Sequence, residues 1–221
     1  MWDNFSPEML ALFGGSLWET LVMVSLSGVA GALIGIPLGV LLRLTDRGGV
    51  LQNTALNRIA GGIVNAVRST PFIILLVAII PLTRLLTGSS IGTAAAVVPL
   101  TVAAAPFIAR LVETALREVD AGLVEAAQAM GATTSQIVFK VLLPEALPGI
   151  VAAFTVTLVS LTGFSAMAGA IGGGGLGDLG IRYGYQRFLP EIMLAVVVVL
   201  IVFVQALQSL GDWAVRRLSH K

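Results

Sequence analysis

Residues 125–144 read EAAQAMGATTSQIVFKVLLP, a polar but helix-compatible stretch between long apolar segments, and its reading decides what kind of chain this is. Asp120 is placed to cap a helix that Gly131 can end in the left-handed conformation, giving an element of about 10 residues and 15 Å. Thr133 followed by Gln136 forms a capping-box pattern for a second helix, which carries Ile137, Val138, Val141 and Leu142 and is expected to stop before Pro144. Ala126, Ala127 and Ala129 keep the first helix slim, Leu123 and Met130 give it apolar anchors, and Glu125 gives it a charge. That shape suits a helix inserted into a partner's groove.

Outward from this loop the chain is apolar. Hydrophobic residues make up 57% and charged residues 11% of the 221, and the mean hydropathy is +0.96, against about 25% charge in an ordinary soluble domain. The fold class expected is an all-α integral membrane protein. Five spans are predicted near residues 18–42, 59–82, 91–115, 148–170 and 190–213, with the polar loop at 116–147 between spans three and four and the whole chain forming one domain. Runs without alternating polar residues exclude a membrane barrel, whereas helices satisfy their own backbone groups in lipid. The second span is less regular, because Asn65, Arg68, Ser69 and Thr70 precede PFIILLVAIIPL; that half is either amphipathic or faces protein.

Orientation follows from Lys and Arg in the short loops. The first 42 residues carry neither, while Asp3, Glu8 and Glu19 are acidic, so the amino terminus is expected outside. Five spans then place Arg43, Arg47, Arg58, Arg110, Arg117, Lys140, Arg216, Arg217 and Lys221 inside and only Arg84, Arg182 and Arg187 outside. The loop at 116–147 is thereby cytoplasmic and the carboxyl terminus with it. Arg68, Arg110 and Glu113 fall near inner span ends, where snorkelling is expected to relieve them, so no proton relay is read.

Candidate catalytic chemistry is scarce. Cysteine is absent and His220, the one histidine, lies in a basic tail, so a Ser/His hydrolase or a Cys/His metal centre has no usable residue. A net charge of +1 gives no reason to invoke nucleic acid.

The loop carries a longer pattern: EAA, three residues, Gly, nine residues, a β-branched residue, one residue, then LP, met by Glu125, Ala126, Ala127, Gly131, Val141, Leu143 and Pro144. This resembles the cytoplasmic loop of ABC importer permeases, which more often have Ile where Val141 stands. The segments WETLVMVSLSG, GIPLGVLL, RSTPFIILLVAIIPLTR, TVAAAPFIARLVE, GLVEAAQAMGAT, VLLPEALPGI and SAMAGAIGGGGLGDLG extend the resemblance over nearly the whole chain and narrow it to methionine import permeases. The resemblance implies a bacterial inner-membrane homodimer that pairs with two ATPase subunits and is fed by an external methionine-binding lipoprotein. It implies that ATP and Mg are bound by the ATPase, with no cofactor in this chain. It implies coupling through Glu125, Ala126, Ala127, Met130 and Gly131, with Leu143 and Pro144 fixing the return to span four, and a narrow apolar gate to which Met167 from each copy contributes. Packing or a lipid-facing position is the other reading of Met167.

Two further patterns need weighing. Gly172, Gly174 and Gly177 match GxGxxG, but a span precedes them where a nucleotide loop needs a strand. The cluster at 169–180 is therefore either a flexible outer connection or close-packed backbone that meets the substrate or its binding protein, the latter favoured by Tyr183, Tyr185 and Arg187 downstream. Ser27, Gly31, Gly35 and Gly39 recur every four residues, a strip that lets a neighbouring helix approach closely.

The function expected from residues and resemblance together is passage of methionine, including D- and L-methionine and derivatives, driven by an external ATPase; the chain itself is not an enzyme. A permease for another small amino acid or organic solute, or a passive channel or scaffold, are the alternatives.

Overall fold

The computed structural model describes residues 6–219, so Asp3, His220 and Lys221 lie outside the described residues. Among the described residues ten α-helices follow one another: α1 Pro7–Thr45, α2 Thr54–Ser69, α3 Phe72–Ala78, α4 Ile80–Thr87, α5 Thr93–Arg117, α6 Ala121–Ala129, α7 Thr134–Ile137, α8 Leu143–Ala168, α9 Gly175–Leu179 and α10 Pro190–Leu218. Three π-helical turns, Val138–Leu142, Gly169–Gly173 and Gly180–Gln186, join the later ones.

Helices α1, α5 and α10, and the continuous 40-residue run Thr134–Gly173 that takes in α7, α8 and the π-turns beside them, are each long and apolar enough to cross a membrane. The bent pair α2 and α3 makes a fifth span if taken together. The first helix is longer than residues 18–42: its 39 residues reach about 58 Å, well beyond a hydrocarbon core of about 30 Å. Its stretch from Thr20 to Leu42 has no charged residue, so Glu19 and Arg43 mark two ends of the bundle about 36 Å apart.

The second span is not one helix over 59–82. Thr70 adopts extended backbone (φ −81°, ψ 125°), as a residue before proline prefers, and at Pro71 the axis turns through 104°. The loss of the proline N–H ends α2, and α3 restarts in a new direction.

Pro144 does the opposite of what its position predicts. The run Thr134–Gly173 continues through it, because the preceding turn is wound as π-helix and Leu143 donates its N–H to the Val138 carbonyl, five residues back. That wider turn relieves the clash of a proline ring with the carbonyl four residues earlier.

The core forms where α1 meets α5. A Cβ at Gly31 would stand 2.6 Å from that of Ala104, one at Gly35 2.5 Å from the Ala105 carbonyl oxygen, and one at Gly39 2.6 Å from the Ala109 carbonyl oxygen. Only glycine allows this approach, so the four-residue strip packs helix on helix as expected. Ser27 closes the strip by donating its hydroxyl to the Val97 carbonyl at 3.3 Å. Met23, Leu100, Ile108, Val112, Leu116 and Leu161 fill the same core.

Candidate functional site

The loop after α5 folds largely as its residues dictate. Asp120 Oδ1 accepts the Gly122 N–H at 2.6 Å and opens α6. Gly131 ends it at φ +77°. The Gly131 N–H donates to the Gln128 carbonyl (2.9 Å) and the Ala132 N–H to the Ala127 carbonyl (3.0 Å), the paired bonds of a Schellman cap. The Thr133 hydroxyl then accepts the Gln136 N–H and the Gln136 side chain accepts the Thr133 N–H, completing the capping box of α7.

Helix α6 is held on one side only. Ala127 is buried and Val124 packs on the core, while Glu125, Ala126, Gln128 and Ala129 face outward. Leu123 is 46% exposed and Met130 82% exposed. Beyond the corner, Ile137, Val138 and Leu142 are buried whereas Phe139 is 68% exposed, an apolar residue on this surface that the sequence pattern did not single out. Leu143 is half-buried and Pro144 exposed. The structure thus brings Glu125, Ala126, Ala127, Met130 and Gly131 together on a short projecting helix, with Leu143 and Pro144 at the root of α8.

Met167 stands far from this loop, late on α8. It is 48% exposed, and Gly163, one turn before it, is exposed too. The glycine cluster follows, and it is close-packed backbone. Gly172 accepts the Gly92 N–H on its carbonyl (2.8 Å), and Gly172, Gly174 and Gly175 take φ of +94°, +80° and +77°. The Glu19 carboxylate accepts the Gly175 N–H and the Thr20 hydroxyl the Leu176 N–H, so side chains of α1 cap α9. Arg187 stacks on the Tyr183 ring at 4.3 Å. No strand precedes the cluster among the described residues.

The charges expected to snorkel at the span ends are arranged differently. Glu113 does not snorkel: it is 2% exposed, and its two oxygens accept from Arg110 and Arg117, each at 2.6 Å. Arg68 lies 5.8 Å from the Phe107 ring centre. Spacing could have revealed the network, since Arg110, Glu113 and Arg117 follow at three and four along one helix face.

The described residues thus form a helical membrane protein, a bundle with several potential spans and one short projecting helix. Residues 35–221 match the family of binding-protein-dependent transport system inner membrane components. Over 220 residues the chain is 58% identical to a Vibrio cholerae protein named Probable D-methionine transport system permease protein MetI, covering all of this chain and 96% of that one. It is 58% identical over 164 residues to the D-methionine transport system permease protein MetI of Escherichia coli, covering 74% and 76% respectively. Among solved structures, a chain of the inward-facing MetNI methionine ABC transporter superposes with a TM-score of 0.96 at 53% identity, covering 98% of this chain and 100% of that one. An amino acid ABC transporter solved with histidines shares the fold at a TM-score of 0.78 and 22% identity. The chain belongs to the binding-protein-dependent inner membrane component family, and within it to the MetI permeases.

Proposed function

We propose that this chain is the permease subunit of an ATP-driven importer that carries methionine, in D- and L-forms, across the bacterial inner membrane. Two copies form the passage, two ATPase subunits bind ATP and Mg and perform the only catalysis, and an external binding lipoprotein delivers the substrate. The full-length likeness to a chain of a methionine transporter is the observation that carries this reading.

Coupling is assigned to α6. An exposed helix about 13 Å long, alanine-walled and fixed at both ends by caps, can be moved as a rigid peg by a cleft that closes. Its displacement favours one of two passage states only if the cleft grips it with different energies in the two ATPase conformations. Glu125, Ala126, Ala127 and Met130 supply the gripped face, Gly131 the corner, and Leu143 and Pro144 the rigid entry to α8. Met167, exposed on one copy, is assigned to the closing contact between two copies, where a flexible thioether fills the gap.

The 221 residues act as one permease unit. The end of the bundle marked by Arg43, Arg117 and α6 faces the cytoplasm, because the basic residues gather there. The amino terminus is then outside and the carboxyl terminus inside. Proteoliposomes holding this chain and its cognate ATPase should accumulate labelled methionine only with ATP and binding protein present. Retention of a different ligand by that binding protein would reassign the substrate.

A further inference from the structure

The charged residues between the spans and α6 form one connected set. Arg117 is the last residue of α5, three before the cap of α6 at Asp120. Its guanidinium donates to Glu113 Oε1 (2.6 Å) and to Asp46 Oδ2 (2.8 Å). Asp46 is the cap that ends α1. The other oxygen of Glu113 accepts from Arg110 (2.6 Å), whose second nitrogen donates to Asn65 of α2 (2.8 Å). Arg43 of α1 adds a bond from Nε to the Leu116 carbonyl at 3.4 Å. Two arginines of α5 thus meet on the buried Glu113 carboxylate, and through them α5 is tied to Asp46 at the end of α1 and to Asn65 of α2.

The energetics define what such an arrangement can do. A buried ion pair adds little net stability over an apolar replacement, yet removing one partner leaves an uncompensated buried charge and is costly. Glu113 holds both arginines from within α5, so a displacement of α5 that leaves α1 or α2 behind keeps those two pairs and breaks the outer links, Arg117 to Asp46 and Arg110 to Asn65, which are charge-assisted but partly exposed. Above it, the glycine strip already presses α1 against α5 at backbone distance. The network extends that contact to the ends of the helices, where the strip no longer reaches.

We propose that Glu113, with Arg117 and Asp46, is the positioning clamp that turns a push on α6 into a joint movement of α1, α2 and α5. Only residues 118–120 separate Arg117 from α6, so a displacement of α6 reaches the clamp through three residues of backbone as well as through the apolar contacts of Val124 and Ala127 with the core. With the clamp intact the three helices turn as one body. With it broken, α6 moves while α1 stays, and ATP is consumed without full opening of the passage. This inference rests on the functional reading above.

The test uses the complete complex of permease, ATPase and binding protein in lipid, with uptake and ATP hydrolysis measured on the same preparation. Glu113→Gln keeps the shape of the side chain but turns an NH2 group toward an arginine; Asp46→Ala removes the α1 anchor at a half-exposed position and leaves the core packing alone. In both, methionine moved per ATP hydrolysed should fall at least about fivefold, the lower end of usual coupling between two sites, while hydrolysis persists. The chain has no cysteine, so Arg47→Cys and Thr114→Cys, both exposed positions, can carry spin labels on the α1 and α5 sides of the clamp. Their separation should be the same with and without nucleotide in the native background and should spread once Asp46→Ala is added. If Glu113→Gln does not assemble, Asp46→Ala decides. An unaltered transport ratio in Asp46→Ala, or a native label distance that changes with nucleotide, overturns the clamp. Absence of uptake by the native complex would count against the importer reading, and the label distance would still decide this one.

Discussion

The Glu19 carboxylate accepts the backbone N–H of Gly175 at 2.6 Å across 156 positions of sequence. Beside it the Thr20 hydroxyl accepts the Leu176 N–H at 2.9 Å. Helix α9 has no local side-chain cap, so its first N–H groups depend on α1. Glu19 also leaves no room at Gly174, where a Cβ would stand 2.7 Å from its Oε2. The Glu19 end of the first span and the glycine cluster are therefore one structural unit.

Removing that cap should loosen α9 while the rest of the bundle stands. Thr20→Val keeps the volume and leaves the buried Leu176 N–H without its acceptor, at a cost of about 1–3 kcal/mol. Amide exchange over residues 172–180 should accelerate in Thr20→Val and in Glu19→Ala, and much less in Glu19→Gln, which keeps an acceptor.

The α1–α5 contact should tolerate no side chain at its centre. Gly35→Ala sets a methyl against the Ala105 carbonyl and Ile108, and overpacking of this kind costs about 1–3 kcal/mol. The unfolding midpoint of the purified protein should drop measurably, whereas Gly14→Ala, with open space around it, should leave it unchanged.

At Gly131 the penalty has a different origin. A Cβ there meets nothing within 4 Å, but φ is +77°, and an L-residue in that region costs about 1–2 kcal/mol. Gly131→Ala should weaken ATPase association modestly, Gly131→Asn less, and Gly131→Pro most, since proline cannot adopt positive φ and lacks the N–H given to Gln128. Pull-down of the ATPase by each variant, at equal membrane insertion, checks the order.

Met167→Ala should loosen the resting passage. Efflux of preloaded methionine from vesicles without ATP should rise over the native rate; unchanged leak and unchanged coupling would return Met167 to a packing role.

Much of this architecture was legible because its signals are local. Asp120, Gly131, Thr133 and Gln136 each act within four residues, and the strip from Ser27 to Gly39 needs only helical periodicity. Pro71 and Pro144 show where local reading stops. Both are prolines in apolar surroundings, yet the first turns the chain through 104° and the second is absorbed by a π-turn, a choice made by packing on either side. Arg110, Glu113 and Arg117 can be paired from their spacing alone, whereas Asp46 and Asn65 join the network from distant parts of the chain and could not be read. The Glu19 cap could not be read at all, since carboxylate and amide are brought together only by the finished bundle.

If α6 carries the ATPase's movement into the spans, Glu125→Lys should disable it. ATP-driven methionine uptake should be measured for native and variant complexes matched for the amount of chain inserted. The charge reversal on this exposed face should sharply reduce uptake together with ATPase binding, while the variant still inserts and folds. Native uptake and native ATPase binding by Glu125→Lys would contradict coupling through α6.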